Sequence, residues 1–440
     1  MIRSKFNFTL LLFACFLYGF KINAQEKLSL TVEQAVEIGL QNSKTLHSSL
    51  MKVKSAKAKL KEINAGRLPS LKLSASYRKL SPVDPFIIDT PFGTFEAAPV
   101  FFDNYSSQLS LFQPIFTGFK LSSSTEIAKQ TANTAAEEYN KDKSDLVFNI
   151  KNGYWSLFKT AQLKRVMDEN VQAVKAHLED AKSLMKVGML TKNDVLKLEV
   201  QLSDMMFKQI DAENGVKLAT VGLSSVLGIP LNTNIEAVSS AELIQNDYDE
   251  LNKLIDDAVQ KRPEIKSADH RIRASQAGVT LAKSSWYPQI SVFSNYYYSK
   301  PNPRVIPAKN EFRNTWDAGV NLSLNVWDWL TTEHQTEQAE AQLFQSVDAM
   351  GIIKDNITLE VTQNFLNVNQ SKRKIEISEL TIKQAEENMR ITSEKFKNGL
   401  AISSDAIDAE TALSTAKINY TNSIVDYELA KARLDKSIGK

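Results

Sequence analysis

Cysteine is almost absent from this chain: the single one among 440 residues is Cys15, near the N-terminus. Once an N-terminal segment that includes it is removed, no thiol remains for a disulfide, a nucleophile or a metal ligand. The four histidines are scattered, without the short spacing typical of zinc hydrolases. A formal net charge of +2 provides no basic field for nucleic acid. We therefore predict no cofactor, no metal site and no nucleic-acid partner.

Glycine and proline are also scarce, at 27 of 440 residues, about half of their average usage of ~12%. A chain so poor in turn formers must spend most of its length in long elements. Seven of the twelve prolines lie within 82–99 and 301–307, and none lies within 115–229 or 308–440. Because a proline inside a helix costs about 3 kcal/mol, the proline-free stretches permit very long helices.

The first 24 residues have the pattern of an export signal. Arg3 and Lys5 precede an apolar run, Phe6 to Phe20, and a small-residue cleavage site precedes Gln25. The run is shorter than the ~20 residues that a membrane span needs, which favours cleavage over anchoring. A lipoprotein site at Cys15 is a minor alternative. We expect residues 1–24 to be a signal peptide and the mature protein to be exported.

The chain also contains an internal repeat. A shift of 211 residues places 109–228 on 320–439 without a gap, and a shift of 219 aligns the preceding part. The spacing predicts two structural repeats, 28–228 and 247–440, joined by a linker at 229–246.

Apolar residues at alternating spacings of three and four predict long coiled-coil helices in both repeats. The predicted helices are 31–64, 118–187, 191–227, 249–284, 330–397 and 402–438. Each long helix is expected to reverse into a short one at a glycine, Gly188 or Gly399, since a helix end commonly needs a left-handed residue.

Alternation of apolar and polar residues predicts four strands, at about 70–80, 105–116, 289–299 and 314–327. Proline-rich stretches join them into two hairpins. Each strand has the length of a transmembrane β-strand, and aromatic residues near a strand end suit the membrane interface: Tyr296, Tyr297 and Tyr298. A spanning sheet must close, and four strands are too few, so the chain is expected to oligomerise. A soluble helical rod with capping hairpins is the alternative.

These features resemble the TolC-like outer membrane efflux proteins. The resemblance rests on the duplication, on the strand pair in each half and on the tip sequences 187–196 and 398–408, with strand-to-helix junctions at 112–118 and 325–328. It implies a mainly α fold with a β-barrel part. Three copies would form one twelve-stranded outer-membrane barrel and a periplasmic α-barrel, with helices of roughly 100 Å.

The resemblance also implies partners and site residues. The partners are a periplasmic adaptor, an inner-membrane pump and outer membrane lipid. By position, the acidic entrance constriction of the family falls on Asp405 and Asp408, where three-fold symmetry would gather charges that attract cations. Aspartate in a first helical turn is also favoured by the helix dipole, and Ser403 and Ser404 are predicted caps. The tip turns expected to face the adaptor contain Gly188, Thr191, Asp194, Gly399 and Leu400.

Some of these tip residues also have a purely structural interpretation. The glycines fit ordinary helix ends, and Thr191 and Asp194 have the spacing of a capping box. The tips also depart from the best-known family pattern, in which a tyrosine and a basic residue help to hold the entrance shut. This chain has Phe396 and Ala401 at those positions. A latch must therefore use other groups, for which Lys192 and Lys197 are candidates.

The function that fits best is the exit duct of a tripartite efflux pump, located in the outer membrane with its helical part in the periplasm. A channel for type I protein secretion, or an exported coiled-coil structural protein, is the alternative. An enzyme is disfavoured, because the sequence shows no clustered set of catalytic residues. The cargo is left open, since neither histidine nor methionine is concentrated in a way that favours metal export.

Overall fold

The computed structural model of the chain describes residues 28–98, 100–238, 248 and 250–440. The predicted signal peptide at 1–24, with Cys15, lies outside the described residues, as does the second half of the predicted linker. The chain divides into two compact units. The first comprises residues up to His47 together with 142–260 and 357–440, and the second comprises 48–141 and 261–356.

Helices make up most of the described chain, as predicted for a mainly α fold. They are α1 Val32–Asn42, α2 Lys44–Ala65, α3 Lys120–Lys186, α4 Lys192–Leu227, α5 Leu251–Lys261, α6 Pro263–Lys283, α7 Thr331–Lys397 and α8 Ser403–Ser437. Helices α3 and α7 have 67 residues each, or about 100 Å at ~1.5 Å per residue. Within the part of the chain described, no helix combines the length and apolar character that crossing a membrane requires.

Two predicted helices are interrupted, and their prediction as single helices was wrong. The first, 31–64, breaks at Ser43, whose hydroxyl accepts a hydrogen bond from the Leu46 amide at 3.1 Å and so starts α2. The second, 249–284, breaks before Pro263, which stands at the start of α6. Proline lacks an amide hydrogen and clashes with the preceding turn, so it suits the first turn of a helix and not its interior.

The strands are β1 Leu28–Leu30, β2 Ser70–Lys79, β3 Phe86–Thr90, β4 Gly93–Ala98, β5 Asp103–Thr117, β6 Ile235–Ala237, β7 Gln289–Lys300 and β8 Arg313–Ser323. Four of them form one antiparallel sheet in the second unit, in the order β2-β5-β7-β8. Strand β8 is shorter than predicted. Its continuation turns into α7 at Asp328, whose carboxylate accepts a hydrogen bond from the Thr332 amide at 3.1 Å.

The other strands were not predicted. Strands β3 and β4 form a small hairpin within the proline-rich stretch that joins β2 to β5. In the first unit, β1 pairs in parallel with β6, which lies in the predicted linker. Strands β1 and β6 have three residues each, too few for a period-two pattern to stand out. Strands β3 and β4 do not alternate regularly between apolar and polar residues.

The core of the first unit follows the predicted heptad pattern. Most of the apolar positions predicted for α4 and α8 are buried, among them Val195, Leu198, Met205, Ala212, Leu223, Ala406, Ala409, Ala416, Tyr427, Ala430 and Leu434. On α3, the fully buried Tyr154 also donates its hydroxyl to the Leu30 carbonyl at 3.0 Å, which ties β1 to the helices. Long helices are therefore held by side-chain packing along their length rather than by local propensity alone.

Candidate functional site: the helix tips and the two-faced sheet

The first tip turn joins α3 to α4 and is fixed by a capping box. Gly188 has φ 79°, in the left-handed region. The Thr191 amide donates to Asp194 Oδ2 at 3.0 Å, and the Asp194 amide donates to Thr191 Oγ1 at 3.3 Å. The Thr191 hydroxyl also donates to Asp194 Oδ2 at 2.6 Å, and this bond, followed by the backbone bond, lowers the pKa of Asp194. Asp194 therefore acts as part of the helix start.

The second tip turn joins α7 to α8 and is capped differently. Gly399 has φ 70°, but the residue before the first turn of α8 is Ile402, which has no side-chain acceptor. The prediction that Ser403 and Ser404 cap the helix was wrong, because α8 begins at Ser403 itself. The Ser403 hydroxyl is buried without a hydrogen-bond partner among the described residues. Asp405 supplies half of a capping box, since its Oδ2 accepts from the Ile402 amide at 3.4 Å.

Asp405 and Asp408 lie on the exposed side of α8. They are three residues apart, so they share a helix face, while Ala406 and Ala409 are buried. The structure thus leaves both carboxylates accessible, and of the two only Asp405 accepts a hydrogen bond from a backbone amide of the described chain.

The two tip hairpins are held together by an apolar cluster. Phe396 of α7 is 0% exposed and packs with Leu178, Ala181, Val195, Leu198 and Ala406, with Ala401 at the edge of the cluster. Its ring meets the His177 ring edge-on at 6.0 Å between centroids. The two glycine turns also approach each other, because a Cβ at Gly399 would lie 2.6 Å from Met189 Cε.

The outer surface of the tips is apolar. Leu400 is 77% exposed, and three further apolar side chains near the turns are exposed as well: Val187, Met189 and Ile402. Single exposed apolar residues are ordinary, but several together on adjoining turns are typical of a protein contact.

The four-stranded sheet has two different faces. Register places the Leu71–Leu111, Leu73–Leu109, Tyr296–Trp316 and Ile290–Leu322 pairs on one face, and most of these side chains are exposed. The other face carries the intervening polar residues, among them Lys72, Ser74, Arg78, Gln108, Asn295 and Asp317. One face thus suits an apolar environment and the other suits water.

The three consecutive tyrosines are divided between these faces. Tyr296 and Tyr298 lie on the apolar face and are about half exposed, and Tyr298 stacks on Phe312 with 5.0 Å between ring centroids. Tyr297 lies on the polar face, because neighbouring residues of a strand point to opposite sides. The Arg304 guanidinium lies over the Tyr297 ring at 4.6 Å. Tyr297 is therefore on the opposite face of the sheet from Tyr296 and Tyr298.

The loop after β7 is tethered to the polar face by the same arginine. Arg304 forms an ion pair with Asp317 of β8. Asp317 also accepts from Asn295 Nδ2 at 2.8 Å, and Asn295 Oδ1 accepts from Gln108 Nε2 at 3.1 Å. A polar network therefore crosses three strands and holds the loop over this face.

Both strand-to-helix junctions use two successive left-handed residues. The first consists of Gly118 and Phe119, with φ 61° and 69°, and the second of Trp329 and Leu330, with φ 55° and 62°. A side chain at Gly118 would lie 2.5 Å from the Ser284 carbonyl oxygen, which explains the glycine there. Exposed aromatic residues surround these junctions: Trp286, Tyr287, Phe119, Trp327 and Trp329. Sequence patterns indicate no membrane-interface role for this second aromatic group, and they favour a structural role for Trp286 and Tyr287.

The described residues contain no cluster of three or more His, Cys, Asp or Glu side chains that could hold a metal ion.

The chain is similar to several known proteins. The chain is 21% identical to the outer membrane protein TolC of Vibrio cholerae over 72% of each protein. It is 21% identical to the alkaline protease secretion protein AprF of Pseudomonas aeruginosa, over 76% of this chain and 69% of AprF. The crystal structure of the outer membrane protein VceC of Vibrio cholerae superposes with a TM-score of 0.77 at 18% identity, covering 93% of this chain and 96% of VceC.

Most of the chain also matches the sequence profile of one protein family. The profile of the outer membrane efflux proteins matches residues 36–229 and 254–440, one match in each sequence repeat. The chain belongs to the outer membrane efflux protein family.

Proposed function

We propose that three copies of this chain form an outer-membrane channel that serves as the exit duct of a tripartite efflux pump. The observation that carries the proposal is the sheet, which has an exposed apolar face, a polar face and edge strands β2 and β8 that each pair on one side only in the described chain. Unpaired strand edges are not tolerated in lipid, so copies must pair edge to edge. Three copies of four strands give a closed barrel of twelve.

The barrel would face lipid with its apolar side and enclose water with its polar side. Two groups of aromatic residues support this placement. Tyr296 and Tyr298 lie toward the loop end of the sheet, and Trp327 and Trp329 lie at the strand-to-helix junctions. Amphipathic aromatic rings are favoured at both membrane–water interfaces.

The entrance of the duct is assigned to Asp405 and Asp408. Their exposure on one face of α8 is compatible with a ring of six carboxylates around a three-fold axis. Like charges gathered in this way attract cations and repel anions. The bond from the Ile402 amide to Asp405 is compatible with this role, since one carboxylate oxygen is left for the channel.

The tips are assigned to adaptor contact. Gly188, Thr191 and Asp194 shape the first turn, and Gly399 and Leu400 shape the second. The exposed apolar side chains on these turns would be covered by the adaptor, which would couple the duct to an inner-membrane pump. A duct of this kind performs no covalent chemistry.

A channel for protein secretion is the second candidate. It is favoured by the similarity to AprF, which is described as an alkaline protease secretion protein. The two functions share one architecture, so the cargo distinguishes them and the fold does not.

The assembly can be tested on protein extracted from outer membranes. We expect a species of three chains that survives electrophoresis in dodecyl sulfate without heating and dissociates on boiling. The same preparation should produce discrete conductance steps in planar bilayers. A monomer that is soluble without detergent and produces no conductance would refute the proposal.

A further inference from the structure

A cavity of about 430 Å³ lies in the first unit, where α3, α4 and α8 meet. Nine of its fifteen lining residues are polar or charged, but most of the wall surface is apolar. The apolar side chains are Leu163, Met167, Met205, Ala212 and Ile418. Cavities that hold small molecules have volumes of ~300–1,000 Å³ and mostly apolar walls with a few polar groups. The size and lining of this cavity are therefore those of a small-molecule site.

The one buried carboxyl group that lines the cavity has no hydrogen-bond or ion-pair partner in the described part of the chain. Glu410 of α8 is 8% exposed and lines the cavity. Within the described chain, it forms neither an ion pair nor a hydrogen bond through its side chain. The charge of Lys417 acts on the pKa of Glu410, but the Lys417 ammonium is already bound to Glu169 at 2.9 Å. Burial raises the pKa of Glu410, and the charge of Lys417 opposes this only in part.

The other buried polar groups of the cavity are satisfied. Asn170 is buried and donates from Nδ2 to the Ser414 hydroxyl at 2.7 Å. Lys208 and Asp211 of α4 also line the cavity, from the exposed side of the helix. Buried carboxyl groups in native proteins are paired as a rule, because an unpaired one is costly. Glu410 lacks such a partner among the described residues, and its side chain lines the cavity.

We propose that this cavity binds a small amphiphilic cation, with the ammonium group on the Glu410 carboxylate and the apolar body between the methionines. The ligand would supply the missing partner of the carboxylate and would fill the apolar volume with carbon. Methionine side chains suit such a site because they adapt to ligands of different shape. The site is separate from the entrance carboxylates Asp405 and Asp408.

The test uses the purified full-length trimer in detergent and two probes of the same shape. 2-Phenylethylammonium carries the charge, and 2-phenylethanol replaces the ammonium with a neutral hydroxyl. We expect the cation to bind one site per chain by ligand-observed NMR titration. Glu410→Gln should weaken the binding of the cation by about tenfold or more, since it removes a charge-assisted hydrogen bond. The same change should alter the binding of phenylethanol much less.

Two further variants test whether the probes bind in the cavity, whether or not Glu410→Gln folds normally. Thr415→Trp places a large ring at the exposed rim of the cavity and should abolish the binding of both probes. Glu213→Gln removes an exposed carboxylate from α4 that does not line the cavity, and it should bind the cation as the unmodified protein does.

The proposal is overturned if Glu410→Gln binds the cation with unchanged affinity, or if the unmodified trimer binds neither probe at millimolar concentration. The second result would mean that another chain fills the cavity. In both cases the trimer and its conductance would be intact, so the proposed channel function would stand. Failure of the channel function would instead appear as the absence of trimers.

Discussion

The packing of Phe396 gives the sharpest prediction for the tips. Phe396 is 0% exposed at the centre of the tip cluster, and replacement of a fully buried phenylalanine by alanine costs ~3–5 kcal/mol. Since about 1.4 kcal/mol is a tenfold change in an equilibrium constant, Phe396→Ala should increase the open population of the tip by roughly a hundredfold to a few thousandfold. The two tip hairpins should then separate without loss of the rest of the fold.

Hydrogen–deuterium exchange by mass spectrometry measures this directly. Amides in the last turns of α3 and α7 should exchange much faster in Phe396→Ala than in the unmodified trimer. Leu400→Ala is the matched control, because Leu400 is 77% exposed on the same tip and its loss should change stability by less than about 0.5 kcal/mol. Equal exchange in the two variants would show that the apolar cluster does not hold the tip.

Replacing Phe396 by tyrosine tests whether apolar packing or a polar bond at this position holds the tips together. Phe396→Tyr restores the residue type of the best-known family pattern but places a hydroxyl in a fully buried apolar cluster. A buried hydroxyl without a partner costs about 1–3 kcal/mol, so exchange should be faster than in the unmodified protein. Slower exchange in Phe396→Tyr would contradict this interpretation and indicate that the position favours a polar bond.

Three further predictions follow from the same unit. Asp405→Asn combined with Asp408→Asn should reduce the cation preference of single channels in planar bilayers, whereas Asp194→Asn should leave it nearly unchanged; an unaltered preference in the double variant would remove the entrance role. Thr191→Ala should lower the free energy of unfolding by ~0.5–2 kcal/mol, because it removes the capping side chain of α4, and a urea denaturation midpoint equal to that of the unmodified protein would contradict the capping role. The pH dependence of stability should have two components of opposite sign. Burial lowers the pKa of His177, so its contribution is present above the ordinary pKa of ~6.5 and is lost as pH falls below it; burial raises the pKa of Glu410, so its contribution is present at low pH and is lost as pH rises through the raised value. His177→Gln should remove the first component and Glu410→Gln the second, as measured by urea denaturation between pH 4 and 8.

Local sequence patterns predicted the long elements well. The bounds of α3, α4, α7 and α8 agree with the predicted helices to within two residues. The heptad pattern and the absence of proline are properties of the helix's own sequence, so they can be read without knowing the rest of the fold. The capping box at Thr191 was equally local. Prediction failed where a single residue outweighed the periodic pattern, as at Ser43 and Pro263, where one long helix became two.

The candidate site was predicted in position but not in its contacts. Sequence patterns placed the tyrosines at a strand end, but only the register of β7 against its neighbours separates Tyr297 from Tyr296 and Tyr298. Departure from the family pattern identified Phe396 as unusual, yet it could not show what replaces the polar latch. The partners of Phe396 include residues of α3, α4 and α8, which no local pattern connects.

The sequence by itself determined that this chain is a duplicated, mainly helical protein with membrane-length strands, because helix length, strand alternation and repetition are properties of neighbouring residues. Only the tertiary structure decided which side chains are buried together. The bond between Asn170 and Ser414 joins residues 244 positions apart. Glu410 and Phe396 likewise lie against α3 and α4, which are far from both residues in sequence. Burial and pairing depend on what the rest of the chain brings to a residue, and it is these that define the tip cluster and the cavity.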